Sequence, residues 1–158
     1  MNWTIEKYEE NQNFNFINRW LHSFRYKTLI SQIDLFQKNS GIKVIKIFDI
    51  GCAAGKSFEI LNPIFDIEYV GVELNPEMVK AGQGKLGKHK NFKIICDSIE
   101  NQYDKIKNAD IVIALETLEH MPGQIVPSVL ENIANYKPKL FMCSVPVEIG
   151  PSIWIKQI

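Results

Sequence analysis

Residues 43–61 read KVIKIFDIGCAAGKSFEIL, and three textures follow one another within that stretch. Lys43 to Ile50 is rich in β-branched and aromatic residues and predicts a strand. Gly51 to Gly55 is a turn of small residues, and Lys56 to Leu61 predicts a short helix stopped near Pro63. Strand, glycine turn and helix in that order make the first half of a βαβ unit.

Working outward, β-rich runs recur at Ile67–Glu73, Phe92–Cys96, Ile111–Leu115 and Leu140–Val145. Helix-compatible stretches separate them at Pro76–Gln83, roughly Ile99–Lys107, and Gly123–Tyr136. Asn75 before Pro76 is a good N-cap, and Pro76 suits the first helical position. The strand interiors are nearly continuous Ile, Val, Phe and Leu, as expected for parallel strands covered on both faces. Strands alternating with helices define an α/β, doubly wound, Rossmann-like sheet of about five mostly parallel strands. Ahead of the sheet, Phe16, Trp20, Phe24, Ile30, Ile33 and Phe36 recur at helical spacing, one helix or two, ended by Asn39-Ser40-Gly41. Residues 1–41 therefore read as an N-terminal helical cap and residues 42–158 as the core.

Composition narrows the function classes. The 158 residues carry 18 basic and 18 acidic side chains, so no excess of positive charge argues for nucleic acid or an anionic membrane. No stretch of 18 apolar residues exists to span a bilayer, and the polar start from Met1 to Gln12 is wrong for a signal peptide. Cys52, Cys96 and Cys143 read as reduced, mostly buried thiols, which points to the cytoplasm.

In a doubly wound sheet, ligands bind at the carboxyl ends of the strands, and the first turn discriminates between ligand classes. A dinucleotide finger wants G-x-G-x-x-G, whereas Ala53 and Lys56 occupy the second and third glycine positions. A P-loop is approached by Gly55-Lys56-Ser57, but its leading glycine falls on Ile50 and the loop is one residue short. A nucleoside ligand without a polyphosphate tolerates Ala53. Glu73, 22 residues after Gly51, is a carboxylate at the end of the second strand, suited to a ribose diol. Turn and acid together favour an adenosine-bearing ligand.

These segments resemble the class I S-adenosylmethionine-dependent methyltransferases, of the small type with a Leu-Glu-His motif. Asp49-Ile50-Gly51-Cys52-Ala53-Ala54-Gly55 is similar to the glycine-rich first motif, with Ala53 in place of its middle glycine. Val70-Gly71-Val72-Glu73-Leu74-Asn75-Pro76-Glu77-Met78 is similar to the segment after it, and Ile94-Ile95-Cys96-Asp97-Ser98-Ile99 resembles the third-strand motif. Asp110-Ile111-Val112-Ile113-Ala114-Leu115-Glu116-Thr117-Leu118-Glu119-His120-Met121-Pro122 resembles the fourth. The resemblance covers roughly residues 42–146. It implies S-adenosylmethionine as cofactor, its methionine portion held by the backbone of Gly51, Ala53 and Gly55 and its amine by Asp49. It further implies Glu73 on the ribose, Leu74 packed on adenine, and Asp97, Ser98 and Ile99 reading adenine, with Glu116 near the transferring methyl.

Glu116, Glu119 and His120 follow the fourth strand, where an acceptor belongs. If Glu116 begins a helical turn, Glu119 and His120 fall at i+3 and i+4 on one face. His120 then suits a general base, because imidazole takes a proton near neutral pH. Two carboxylates and an imidazole also suit a divalent ion, and a structural role such as helix capping is the third reading. The catalytic assignment adopted is His120, Glu116 and Glu119 without a metal, on a small-molecule hydroxyl acceptor. The segment resembles ubiquinone-type and small-RNA O-methyltransferases. The RNA enzymes add a histidine after the fifth strand, and the only others here are His22 and His89. Trp20, His22, Arg25 and Tyr26 are candidates for a lid. The rival classes are a P-loop-like nucleotide-binding protein and a non-catalytic methyltransferase-fold partner protein.

The resemblance also implies a further helix and a terminal antiparallel hairpin, of which Gly150–Ile158 looks like the start. The hairpin is expected to be missing, leaving the fifth strand as an edge for pairing with a second copy.

Overall fold

The computed structural model describes residues 16–145, with side chains from Phe24 onward. Trp20 and His22 therefore lie outside the described side chains. The expected helix start at Gly150 and the end of the chain lie outside the described residues altogether.

Helix α1 (Phe16–Ser40) is one continuous helix of 25 residues, and Gly41 closes it with a left-handed φ of 68°. Five strands follow: β1 (Ile45–Ile50), β2 (Ile67–Glu73), β3 (Phe92–Cys96), β4 (Ile111–Leu115) and β5 (Leu140–Ser144). Helices α2 (Lys56–Leu61), α3 (Pro76–Leu86), α4 (Tyr103–Lys107) and α5 (Ile125–Tyr136) connect them. All described pairings are parallel, and the order is β3-β2-β1-β4-β5. The order reverses between β1 and β4, which leaves a crevice at their carboxyl ends.

Alternation along each strand feeds two apolar layers. Ile45, Ile47, Ile67 and Tyr69 pack with Leu29 and Ile33 of α1, Phe58 of α2, and Leu86 of α3. Phe48, Ile50, Val112 and Ala114 pack on the opposite face with Ile106 of α4 and Val129 and Ile133 of α5. The sheet is thus covered on both sides, as the apolar strands require.

Local expectations were met where short-range chemistry controls them. Asn75 caps α3 by accepting from the Glu77 N–H at 2.9 Å, with Pro76 following as expected. Others need correction. The predicted helix over 99–107 is broken into a 3₁₀ turn, Ile99–Asn101, and α4, because the Gln102 side chain is drawn back to Asp97 at 2.7 Å. Of the three cysteines only Cys52 is buried; Cys96 and Cys143 are exposed, at the ends of strands where the helical cover stops.

At the opposite end of the sheet, Asp110 ties three strands. Its carboxylate accepts from the Lys46 N–H of β1 at 3.0 Å and from Lys139 Nζ, just before β5, at 2.8 Å. Burial opposes its ionisation, but the bonds from Lys139 and Lys46 prevail and hold the carboxyl below the usual range. A lowered folded pKa stabilises above the unfolded value and is lost as pH falls through the folded one. Asp110→Ala is expected to cost about 1 kcal/mol in urea unfolding at neutral pH. That cost should shrink under acid, and an undiminished one would show that the carboxylate charge is irrelevant.

Candidate functional site

A cavity of about 710 Å³ opens at the crevice between β1 and β4. It collects Asp49, Gly51 and Ala53 from the first turn, Glu73 and Leu74 from the end of β2, and Asp97, Ser98 and Ile99 from beyond β3. Glu116 and His120 come to it from beyond β4. Residues spread over more than 70 positions of sequence meet because parallel strands end on the same side of the sheet.

The first turn is built from alternating left-handed residues, with φ of 69° at Gly51, 47° at Ala53 and 81° at Gly55. Ala53 takes a conformation that disfavours a side chain, and its N–H donates to Glu73 Oε2 at 2.9 Å. Glu73 Oε1 accepts from the Asn75 N–H, also at 2.9 Å. One carboxylate therefore fastens the turn to the head of α3, while keeping lone pairs for a ligand hydroxyl. Asp97 is held likewise: its oxygens accept from Asn101, Gln102 and the Ser98 N–H at 2.7–2.8 Å. Those bonds, Asn101 first, hold its carboxyl below the usual range. Leu74 is 70% exposed at the rim, an apolar side chain with nothing to cover it among the described residues.

Asp49 is different. It is 2% exposed and accepts from the Tyr69 hydroxyl at 2.5 Å. Burial pushes its pKa up to about 7; the Tyr69 and Ser57 hydroxyls oppose that rise and the Glu73 charge adds to it. Burial, with Asp49 and Glu73 nearby, also pushes the Cys52 thiol up, so Cys52 is a packing residue and not a thiolate nucleophile.

Beyond β4 the expected helical turn does not begin at Glu116, which takes a left-handed φ of 51°. Its N–H is drawn to the Ser144 carbonyl at 2.9 Å and the Ser144 hydroxyl at 3.1 Å on the neighbouring strand. The helical piece is instead a 3₁₀ turn, Leu118–His120. Glu119 and His120 are both exposed, and of the two only His120 lines the cavity. Gly55 also stands outside the lining: a Cβ there would lie 2.9 Å from Leu86 and Phe92, so it serves close packing under the turn. Among the described residues, no group of three His, Cys, Asp or Glu side chains is placed to hold a metal.

From α1, Arg25 and Tyr26 line the same cavity. Arg25 forms an ion pair with Glu116 and sits over the Tyr26 ring, 4.9 Å from its centroid. Tyr69 and Thr117 were not singled out from the sequence. Tyr69 read only as a strand residue, and the register Ile47↔Tyr69 that brings its hydroxyl to Asp49 exists only in the folded sheet.

Fold and site together define a Rossmann-like protein with a nucleoside-sized cavity at the topological switch point. The methyltransferase-domain family matches residues 47–137, more than half of the chain, which belongs to that family, the class I S-adenosylmethionine-dependent methyltransferases. It is 30% identical over 83 residues to a carboxy-S-adenosyl-L-methionine synthase of Helicobacter pylori, covering 51% of this chain and 35% of the relative. It is 23% identical over 118 residues to a small RNA 2′-O-methyltransferase of Drosophila melanogaster, covering 66% of this chain and 30% of that one. The chain thus spans about a third of the length of these curated relatives. Among solved structures, the bifunctional kinase-methyltransferase WbdD shares the fold with a TM-score of 0.66 at 19% identity, over 82% of this chain and 30% of that chain.

Proposed function

We propose that the chain binds S-adenosylmethionine in this cavity and transfers its methyl group to a hydroxyl of a small-molecule acceptor. The observation that supports it best is the doubly bonded Glu73 carboxylate, presented beside the first turn and facing the same cavity as Asp97. The residues fit the cofactor by their chemistry. Carboxylates at successive strand ends suit an ammonium, a ribose diol and an adenine amino group, and exposed Leu74 suits a ring face.

When bound, the cofactor supplies a methyl group already activated by a sulfonium, so the protein's work is alignment and exclusion of water. Asp49 receives the amine, with the turn backbone at Gly51 and Ala53 beside it. Glu73 takes the ribose hydroxyls, Leu74 covers adenine, and Asp97 with the Ser98 and Ile99 backbone reads its edge. Glu116 faces the acceptor side, where His120 removes the acceptor proton and Met121, Pro122 and Ile125 provide an apolar wall. Residues 1–41 act as a cap, supported by Arg25 and Tyr26 of α1 at the cavity. A cytoplasmic setting is supported by the three free cysteines. The outer edge of β5 pairs with no strand among the described residues, which supports docking of a second copy there.

The test is calorimetric titration with S-adenosylhomocysteine. Glu73→Ala is expected to weaken binding at least about tenfold, since it removes the ribose acceptor and unfastens the turn. Lys56→Ala should change it less than about twofold: Lys56 lies in the cavity lining, but its Nζ is already engaged by Glu59 at 3.0 Å. Loss of binding in Lys56→Ala but not in Glu73→Ala would point to a phosphate-binding loop instead.

A further inference from the structure

We infer that Tyr69 is a positioning residue, whose buried hydroxyl keeps the Asp49 carboxylate ionisable and fixed at the cavity wall, so that binding of an ammonium-bearing cofactor is coupled to release of a proton. The inference rests on the cofactor reading above.

The geometry is that of a built pair. Tyr69 is 1% exposed, its ring stacked on Phe92 with centroids 5.6 Å apart and tilted against Phe58 at 5.5 Å. Two aromatic rings thus fix the phenol, and its hydroxyl reaches Asp49 Oδ2 at 2.5 Å. Within the apolar layer the hydroxyl also meets the Cys52 thiol, and the ring contacts alone would be made equally by phenylalanine. The hydroxyl acts on Asp49, which lines the cavity.

The groups around Asp49 set the sign. Tyr69 of β2 and Ser57 of α2 donate to it and favour the carboxylate, while Glu73 at the end of β2 opposes it. Burial raises both the Cys52 thiol of the turn and the Tyr69 phenol, so both stay protonated and neither adds a negative charge beside Asp49. Tyr26 of α1 faces the pair, and Arg25 of α1 forms its ion pair with Glu116 beyond β4. Lys56 of α2 also lines the cavity and is ion-paired with Glu59, and burial pushes Asp49 up to about 7. Near neutral pH the ligand-free site is therefore partly protonated. An incoming ammonium favours the carboxylate, and the Asp49 proton leaves to solvent as the ion pair forms.

The experiment compares S-adenosylhomocysteine, which carries the ammonium, with 5′-methylthioadenosine, which lacks it, by calorimetry. For the native chain, S-adenosylhomocysteine affinity is expected to fall about tenfold from about pH 8 to about pH 6, with methylthioadenosine nearly unchanged. In two buffers of different protonation enthalpy, the apparent heat should report a fraction of a proton released for S-adenosylhomocysteine alone. Tyr69→Phe removes a donor to the carboxylate, so the midpoint moves up: affinity is about fivefold lower at pH 7 and nearly restored at about pH 8.5. Ser57→Ala should shift the midpoint in the same direction without touching the aromatic stack. S-adenosylhomocysteine affinity independent of pH in the native chain overturns the inference alone. So does a Tyr69→Phe defect of equal size at both pH values, which would mark a merely structural role. Failure of both ligands at every pH overturns the cofactor reading, and this inference with it.

Discussion

His120→Asn is expected to slow methyl transfer by about a hundredfold or more while leaving S-adenosylhomocysteine affinity within about twofold. The split follows from placement. His120 ends the 3₁₀ turn beyond β4, its N–H donating to the Thr117 carbonyl at 3.1 Å, and it lines the cavity from there. It touches neither the Glu73 fastening nor the Asp97 cluster, so its loss spares the cofactor half. Release of S-adenosylhomocysteine with a panel of phenolic and other hydroxylated acceptors provides the rate. Glu119→Gln should leave that rate nearly unchanged, since Glu119 is exposed and outside the cavity lining. Chelation with EDTA should leave it unchanged too. A rate that collapses in Glu119→Gln or on chelation, and recovers with a divalent ion, would replace the base by a metal.

Gly51→Ala is expected to destabilise the fold by about 2–4 kcal/mol and to abolish detectable cofactor binding. Two costs combine. At a φ of 69° an L side chain crowds its own carbonyl, at about 1–2 kcal/mol. The added Cβ would also stand 2.2 Å from Thr117 Cγ2 and 2.5 Å from Thr117 Oγ1. Thr117 has little room to yield, since it is β-branched and its hydroxyl is directed at the Leu115 and Gly51 carbonyls at 3.1 and 3.4 Å. Urea unfolding of Gly51→Ala, Thr117→Ala and the double variant separates the two costs. The double variant should recover the steric share and keep the backbone share. Full stability in Gly51→Ala would show that the turn does not take this conformation.

The same contact shows how sequence and structure divide the information. Gly51 was recognisable as a special position because strand, small-residue turn and helix are contiguous, but the steric share of its need for glycine lies at Thr117, 66 residues away. Glu73 and Asp97 were found because each follows a β-rich run, and in a parallel sheet the ends of such runs lie together. Glu116 was found for the same cause. Its left-handed backbone was not, because it is imposed by Ser144 on β5 and Arg25 on α1 rather than by its neighbours in sequence. Gly55 carries the look of a cofactor contact and faces Leu86 and Phe92 instead.

What the amino-acid order determined alone is the class of fold, the order of its elements and the acids at the strand ends. Those rest on periodicities and turn chemistry that act over a few residues. Membership of the cavity was decided by the tertiary structure. Strand register set Tyr69 against Asp49, the reversal of strand order put Thr117 on Gly51, and α1 brought Arg25 and Tyr26 across the opening. Each is a contact between elements far apart in sequence, where no local pattern records the partner.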